Sequence, residues 1–339
     1  MGAALALAER GRGRTAPNPN VGCVIVKDGR VVGRGWTQPG GRPHAEAMAL
    51  AQAGDAARGA TAYVTLEPCA HVSPRGPACS DLLIAAGIAE VVIAARDPDP
   101  RTDGKGVARL RAAGIHAAIG VGEAEARRSL AGFLTRQARG RPCVTLKLAT
   151  SLDGCIARAD GESQWITGAP ARAHAHLERA RHEAILVGRG TYEADSPTLD
   201  VRLPGLEERS PRRLLLTRHP GLVPGSAKPQ VISPEGARTP ARGRGDDGWE
   251  LIGSPGAIAD LSGIDHLLVE GGAQTASAFL AADLVDRLLL YRAPILIGGG
   301  KPALGDIGLG NLADAHRRWR LHDARMLGID RLEVYERTR

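Results

Sequence analysis

The sequence predicts an α/β protein built from two layered domains. Three observations carry that expectation. Short aliphatic runs alternate with segments of helical pattern along nearly the whole chain. At 339 residues the chain is long enough for two domains, each with its own core. A basic breaker, ARGRP at Ala138–Pro142, divides the alternation, so the domains are expected at residues 1–141 and 142–339. Aromatics are only 3% of residues, so both cores must be filled by Ala, Leu, Val and Ile.

The elements follow in order. VGCVIVKDGRVVGRG (Val21–Gly35) reads as a hairpin, two β-branched runs around the turn signal KDGR. A helix is expected over Ala45–Ala53, a strand over Ala62–Leu66, a helix over Ser80–Ala86 and a buried strand over Glu90–Ala95. LRAAGIHAAIGVG adds a further helix–strand unit. Beyond the breaker, CVTLKLATSLDG opens as a strand. ITGAPARAHAHLERARHEAILVG is a helix running into a strand, with Thr167 expected as N-cap and Pro170 in the first turn. Pro220–Pro255 is rich in Pro, Gly, Ser and Arg and reads as loop with weak strands. HLLVEGG and RLLLYRAPILIGGG read as two apolar strands ending in glycines. There are no internal repeats.

Composition narrows the class. No apolar run reaches the length of a membrane span, and MGAALALAERGRGR lacks both a basic start and a small-residue cleavage site. A cytoplasmic protein is expected. Five cysteines there do not make a disulfide framework; those that cluster point to metal or catalysis. The net charge of +7 suits a phosphorylated substrate as well as nucleic acid. Arginines scattered through loops, with few aromatics to stack bases, favour the small molecule.

A catalytic zinc requires three protein ligands, an open position for water, and a base to manage that water's protons. His44, Cys69 and Cys79 supply one nitrogen and two sulfurs, and Glu46 the carboxylate. Residues two apart on a helix point in very different directions. His44 and Glu46 therefore share a site only at a helix start, which Gly40, Gly41 and Pro43 place just upstream. Cys79 begins a helix, where the thiolate form is favoured. Taken singly, a histidine or cysteine is more often inert, and His71 and His116 are read that way. The quartet is different, because H-x-E followed by P-C-x(n)-C is the signature of zinc-dependent cytosine and adenine deaminases.

Beyond that signature, APNPNVGCVIV, HAEAMAL, TLEPCAHVSPRGPAC and ARDPDP with GKG resemble the bifunctional riboflavin-biosynthesis deaminase/reductase family. LKLATSLDG, GESQWITG, AILVGRGTYEADSPTLDVR, VEGG and APILIGG extend the resemblance, in order, through the second half. It implies a cytidine-deaminase-like three-layer domain that removes ammonia from a diamino-ribosylamino-pyrimidinone 5′-phosphate. His44, Cys69 and Cys79 would hold zinc, and Glu46 would shuttle protons to the leaving amine. Asn18 matches a pyrimidine-contacting amide. Two departures stand out. Nine residues separate the cysteines, one more than in the family's usual Gly-Lys/Arg-Thr-Pro-Pro loop, which leaves Arg75 as the expected phosphate contact. Thr37 stands where the family often has a histidine.

The second half resembles a dihydrofolate-reductase-like domain that transfers hydride from NADPH to the ribosyl C1′. The resemblance places Ser163, Arg179, Leu199, Arg202 and Glu270 at the substrate, and Ala149, Trp165, Thr191, Asp195 and Gly272 at NADPH. Arg218, where the family commonly has a serine, is expected at the cofactor's 2′-phosphate. The resemblance further implies a homo-oligomer. Two other readings compete: a nucleic-acid base deaminase with a C-terminal binding domain, and a structural zinc module, which would need a fourth ligand.

Overall fold

A computed structural model of the chain describes residues 1–71, 73–217 and 248–339, with the backbone of Gln230–Ile232. It divides into two compact units, Met1–Gly140 and Arg141–Arg339.

Unit 1 runs α1 (Gly2–Ala8), β1 (Gly22–Lys27), β2 (Arg30–Trp36), α2 (Ala45–Ala53), β3 (Thr61–Leu66), α3 (Cys79–Ala85), β4 (Glu90–Ala95), α4 (Lys105–Ala112), β5 (His116–Ile119), α5 (Glu123–Ser129) and α6 (Ala131–Arg139). The five strands stand in the order β2-β1-β3-β4-β5. The β1–β2 hairpin turns at Asp28 and Gly29, both at positive φ, as a primed turn requires. Helix α2 buries Ala45, Ala49 and Ala53 against this sheet. Small residues set the spacing: a Cβ at Gly35 would lie 2.1 Å from the Ala45 carbonyl oxygen, and one at Gly33 2.2 Å from that of Ala49. The glycines of β2 thus let the α2 backbone lie directly on the strand and fix where its N-terminus points.

Unit 2 runs β6 (Cys143–Thr150), β7 (Cys155–Ala157), α7 (Ala169–Arg179), β8 (Ala184–Gly188), α8 (Arg189–Asp195), β9 (Arg212–Leu216), β10 (Gln230–Ile232), β11 (Trp249–Ile252), β12 (His266–Val269), α9 (Ala273–Ala281), β13 (Val285–Arg292), β14 (Lys301–Pro302), β15 (Trp319–Leu327) and β16 (Asp330–Arg337). Among the described residues the main sheet has nine strands, ordered β10-β11-β9-β8-β12-β6-β13-β16-β15. Its centre, from β11 to β13, is parallel, and the strand pairs at both edges are antiparallel. Buried aliphatic residues of β6, β8, β9 and β12 with Phe279 of α9 form the core.

Two local expectations are corrected. Thr167 does not cap α7; Gly168 is the N-cap, and its N–H donates to Asp330 Oδ2 at 2.7 Å. That bond ties the start of α7 to β16 and is not a side-chain cap of the helix. Strand β13 stops at Arg292, so APILIGGG is a loop rather than strand. Asp153 holds it, accepting from the backbone N–H groups of Ile297 at 3.2 Å and Gly298 at 2.8 Å. No helix among the described residues is long and apolar enough to cross a membrane.

Candidate active sites

In unit 1 the metal-ligating residues come from three element ends. His44 is the N-cap residue of α2, Cys69 follows β3, and Cys79 opens α3. One ligand atom from each lies within 4.8 Å of the other two. His44 Nδ1 is 3.2 Å from Cys79 Sγ and 3.6 Å from Cys69 Sγ, so this nitrogen faces the sulfurs. The Cys79 amide at the start of α3 donates to Cys69 Sγ at 3.3 Å. One imidazole and two thiolates converging this way suit a zinc ion with one position left over.

Without a metal the electrostatics favour the thiolate at Cys69 and not at Cys79, against the expectation from the helix start. A hydrogen bond between the two side chains, from the Cys79 thiol to the Cys69 sulfur, lowers Cys69 to about 4, while that same bond and then burial raise Cys79. Glu46, in the first turn of α2, is only 3% exposed. Burial raises its carboxyl to about 6 despite the opposing pull of His44. Asn18 lies behind the histidine, its amide nitrogen 3.0 Å from His44 Nε2 and 2.9 Å from the Gly41 carbonyl. With Nδ1 turned to the sulfurs as the ligating atom, Nε2 carries the ring proton, so the Asn18 amide nitrogen lies against it without donating to it, and Asn18 Oδ1 accepts nothing from a described residue.

A cavity of about 320 Å³ opens beside His44 and Cys79. Arg75 lines it with Arg42, Gly76 and Pro77. The segment between the cysteines contains a tight turn: Ser73 and Gly76 exchange backbone hydrogen bonds of 3.2 and 3.0 Å, with Pro74 and Arg75 at the corner. Thr37 is buried, and its hydroxyl accepts from the Val21 amide at 3.0 Å, tying down the loop before β1. The sequence reading gave no role to Glu67, Asp97 and Asp99, all buried near Cys69. Glu67 accepts from the backbone of Val107 and Gly104, and burial pushes Asp97 up to about 7. The clustering of acids in ARDPDP was the available signal.

In unit 2 the predicted residues divide into groups. Glu270, just past β12, is clamped by Arg179 through Nε–Oε1 at 2.8 Å and Nη2–Oε2 at 2.9 Å. Lys147 Nζ stands 3.7 Å away. Burial opposes ionisation of Glu270, but the Lys147 and Arg179 cations outweigh it and hold the carboxyl at about 2. Arg179 Nη1 also donates to the Asp200 carbonyl at 3.1 Å, so its fork, expected at the substrate, is engaged within the protein. Arg202 is exposed and lies 3.6 Å from Asp200; Leu199 is buried at φ +54. Lys147 was missed because a lone lysine in an apolar strand carries no pattern.

Of the residues expected at NADPH, Ala149 lies near the C-terminal end of β6 and Thr191 in the helix that follows β8. Ala149 is paired with Tyr291 across β6 and β13. Thr191 Oγ accepts from the N–H of Gly272, the N-cap of α9, at 3.1 Å. Asp195 is exposed at the end of α8, and Ser163 lies in the segment before α7. Trp165 is 65% exposed, with the Arg172 guanidinium 4.7 Å above its ring, and so is not a core aromatic. A Cβ at Gly271 would meet Thr275 Cβ at 2.5 Å, so that glycine serves packing, whereas one at Gly272 would meet nothing nearer than 3.5 Å. Arg218 lies outside the described residues.

The family profile described as "RibD C-terminal domain" matches residues 142–331, and "Cytidine and deoxycytidylate deaminase zinc-binding region" matches residues 1–95. The riboflavin biosynthesis protein RibD of Escherichia coli is 42% identical, over 97% of this chain and 96% of its own length. That of Aquifex aeolicus is 41% identical over 93% and 91%. The solved structure of Acinetobacter baumannii RibD, form 1, is 37% identical and superposes with a TM-score of 0.80, covering 100% of this chain and 98% of its own. A Thermotoga maritima diaminohydroxyphosphoribosylaminopyrimidine deaminase/5-amino-6-(5-phosphoribosylamino)uracil reductase also reaches 0.80, at 34% identity, covering 100% and 97%. With both halves matched at this identity, the chain belongs to the RibD family of riboflavin-biosynthesis proteins, which join a zinc-dependent deaminase to a reductase.

Proposed function

We propose that unit 1 deaminates the pyrimidine of a diamino-ribosylamino-pyrimidinone 5′-phosphate, and that unit 2 reduces the ribosyl chain of the product to ribityl with NADPH. The observation that carries this reading is the convergence of His44, Cys69 and Cys79 beside buried Glu46, in a chain that resembles the T. maritima enzyme over its whole length. Zinc, when bound, supplies a water made acidic enough to attack at neutral pH. Glu46, raised toward neutrality by burial, takes that water's proton and gives it to the departing amine. Water enters, ammonia leaves, and the ring gains a carbonyl. Asn18 Oδ1 is left to accept from a ring N–H.

In unit 2 we assign Glu270, Arg179, Ser163, Leu199 and Arg202 to the substrate, and Ala149, Trp165, Thr191, Asp195 and Gly272 to NADPH. Glu270 is a fixed carboxylate able to accept from ribosyl hydroxyls, and Arg179 holds it in place. We further read the chain as a cytoplasmic homo-oligomer that takes no nucleic acid. Its five free, buried thiols support the compartment.

The test supplies the pyrimidinone phosphate with NADPH and follows ammonia and absorbance together. Both should change, NADPH oxidation lagging ammonia release. Glu46→Gln should keep its zinc while ammonia release falls by a factor of about 10² or more. Deamination of an RNA oligonucleotide but not of the pyrimidinone phosphate would overturn the reading.

A further inference from the structure

The cavity beside the zinc ligands has walls of one sign. Two guanidinium groups, Arg42 and Arg75, line it, and no carboxylate does. Their situations differ. Arg75 is exposed and already committed in part, donating from Nη2 to the Gly40 carbonyl at 2.8 Å. Arg42 is half-buried, two residues before His44, and makes no hydrogen bond or ion pair with any described residue. A half-buried guanidinium has five donors to satisfy and loses hydration without a partner. Its place is shaped by the loop opposite: Gly76 adopts φ +140, and a Cβ there would lie 3.0 Å from Arg42 Nη1. The Ser73–Gly76 turn thus brings Arg75 to the cavity and leaves Arg42 its space.

We infer that Arg42 is a principal anchor for the substrate's 5′-phosphate in the deaminase site, with Arg75 as its partner across the cavity. This rests on the deaminase reading above and sharpens it. Arg42 is joined to a zinc ligand through Pro43 alone and lines the same cavity, so an anion on its fork lies within one side chain's reach of the metal site. A planar fork grips phosphate oxygens in pairs, which a single lysine does not do. Arg75, bonded back to Gly40, closes the other side without having to be ordered on binding. The pocket therefore selects phosphorylated over dephosphorylated pyrimidines.

The experiment uses the full-length, zinc-loaded chain and measures ammonia release from the pyrimidinone phosphate and from its dephosphorylated form. Arg42→Ala should cut the preference in kcat/KM for the phosphorylated substrate about tenfold or more, mainly through KM, the scale of a lost hydrogen bond to a charged group. Arg42→Lys should recover part of it. Inorganic phosphate should inhibit the parent's deamination competitively and the Ala variant's more weakly. Zinc content and NADPH oxidation with the deaminated intermediate serve as controls for folding. A preference unchanged in Arg42→Ala at full zinc content overturns the inference and leaves the deaminase reading intact. If the unaltered chain releases ammonia from neither substrate, that reading falls instead. The anion site is then judged by calorimetric binding of the pyrimidinone phosphate: weaker binding by Arg42→Ala upholds it, and equal binding rejects it.

Discussion

Glu183 stands just before β8, and its Oε2 accepts from the His266 amide at 2.7 Å. Burial, reinforced by the nearby Asp265 carboxylate, raises it from 4.5 to about 7. The folded chain therefore keeps a proton that the unfolded chain gives up near pH 4.5. Stability falls as pH rises from about 4.5 to 7, by an amount on the order of 3 kcal/mol at 1.36 kcal/mol per pK unit. In Glu183→Gln, which keeps an acceptor for His266, urea unfolding of unit 2 should lose much of its difference between pH 5 and pH 8. An equal difference in parent and variant would rule this out. Nothing in the sequence marks this carboxyl, since an acid at a strand start reads as solvated. The zinc ligands were legible because each sits beside a breaker or a helix start. Arg179 and Glu270 were legible as residues, but their pairing was not, because it joins positions 91 residues apart.

Between elements, β8, β12 and α9 meet on one side chain. Thr275 fills the space that glycine leaves at the ends of both strands. A Cβ at Gly188 would lie 2.0 Å from its Oγ, as one at Gly271 would from its Cβ at 2.5 Å. Gly188→Ala should lower the stability of unit 2 by about 1–3 kcal/mol, the range for overpacking. Adding Thr275→Ala should return part of that loss, read as the denaturation midpoint. If the second change adds its own loss instead, the contact is not what glycine protects. Elements with a clean period were read within a residue or two, among them the hairpin, α2, β3, α3 and β4. Helices α1, α5 and α6 were missed. GAALALA is apolar on all sides and gives no stripe, while α5 and α6 meet end to end at Leu130 without a breaker. Strand β15 was missed for the opposite reason. It is an edge strand exposed along most of its length, so no alternation marks it.

For the chain as a whole, the two activities have separate requirements. Zinc chelation should abolish ammonia release while NADPH oxidation, fed with the deaminated intermediate, continues at about its former rate. Loss of both would mean that the reductase unit depends on the metal. The two-domain α/β plan was readable because its parallel strands are nearly continuous aliphatic runs. The edge pairs were less readable, since they are half-exposed and their partners are fixed by tertiary pairing.

All five cysteines are free and buried, three in unit 1 (Cys23, Cys69, Cys79) and two in unit 2 (Cys143, Cys155). A thiol reagent in bulk solvent therefore meets sulfur only after something opens. Each unit carries its own clock: modification of Cys143 and Cys155 times the loosening of the reductase sheet. Cys23, in β1 and outside the ligand set, times the breathing of the deaminase sheet, whereas Cys69 and Cys79 also register departure of the ion that they hold.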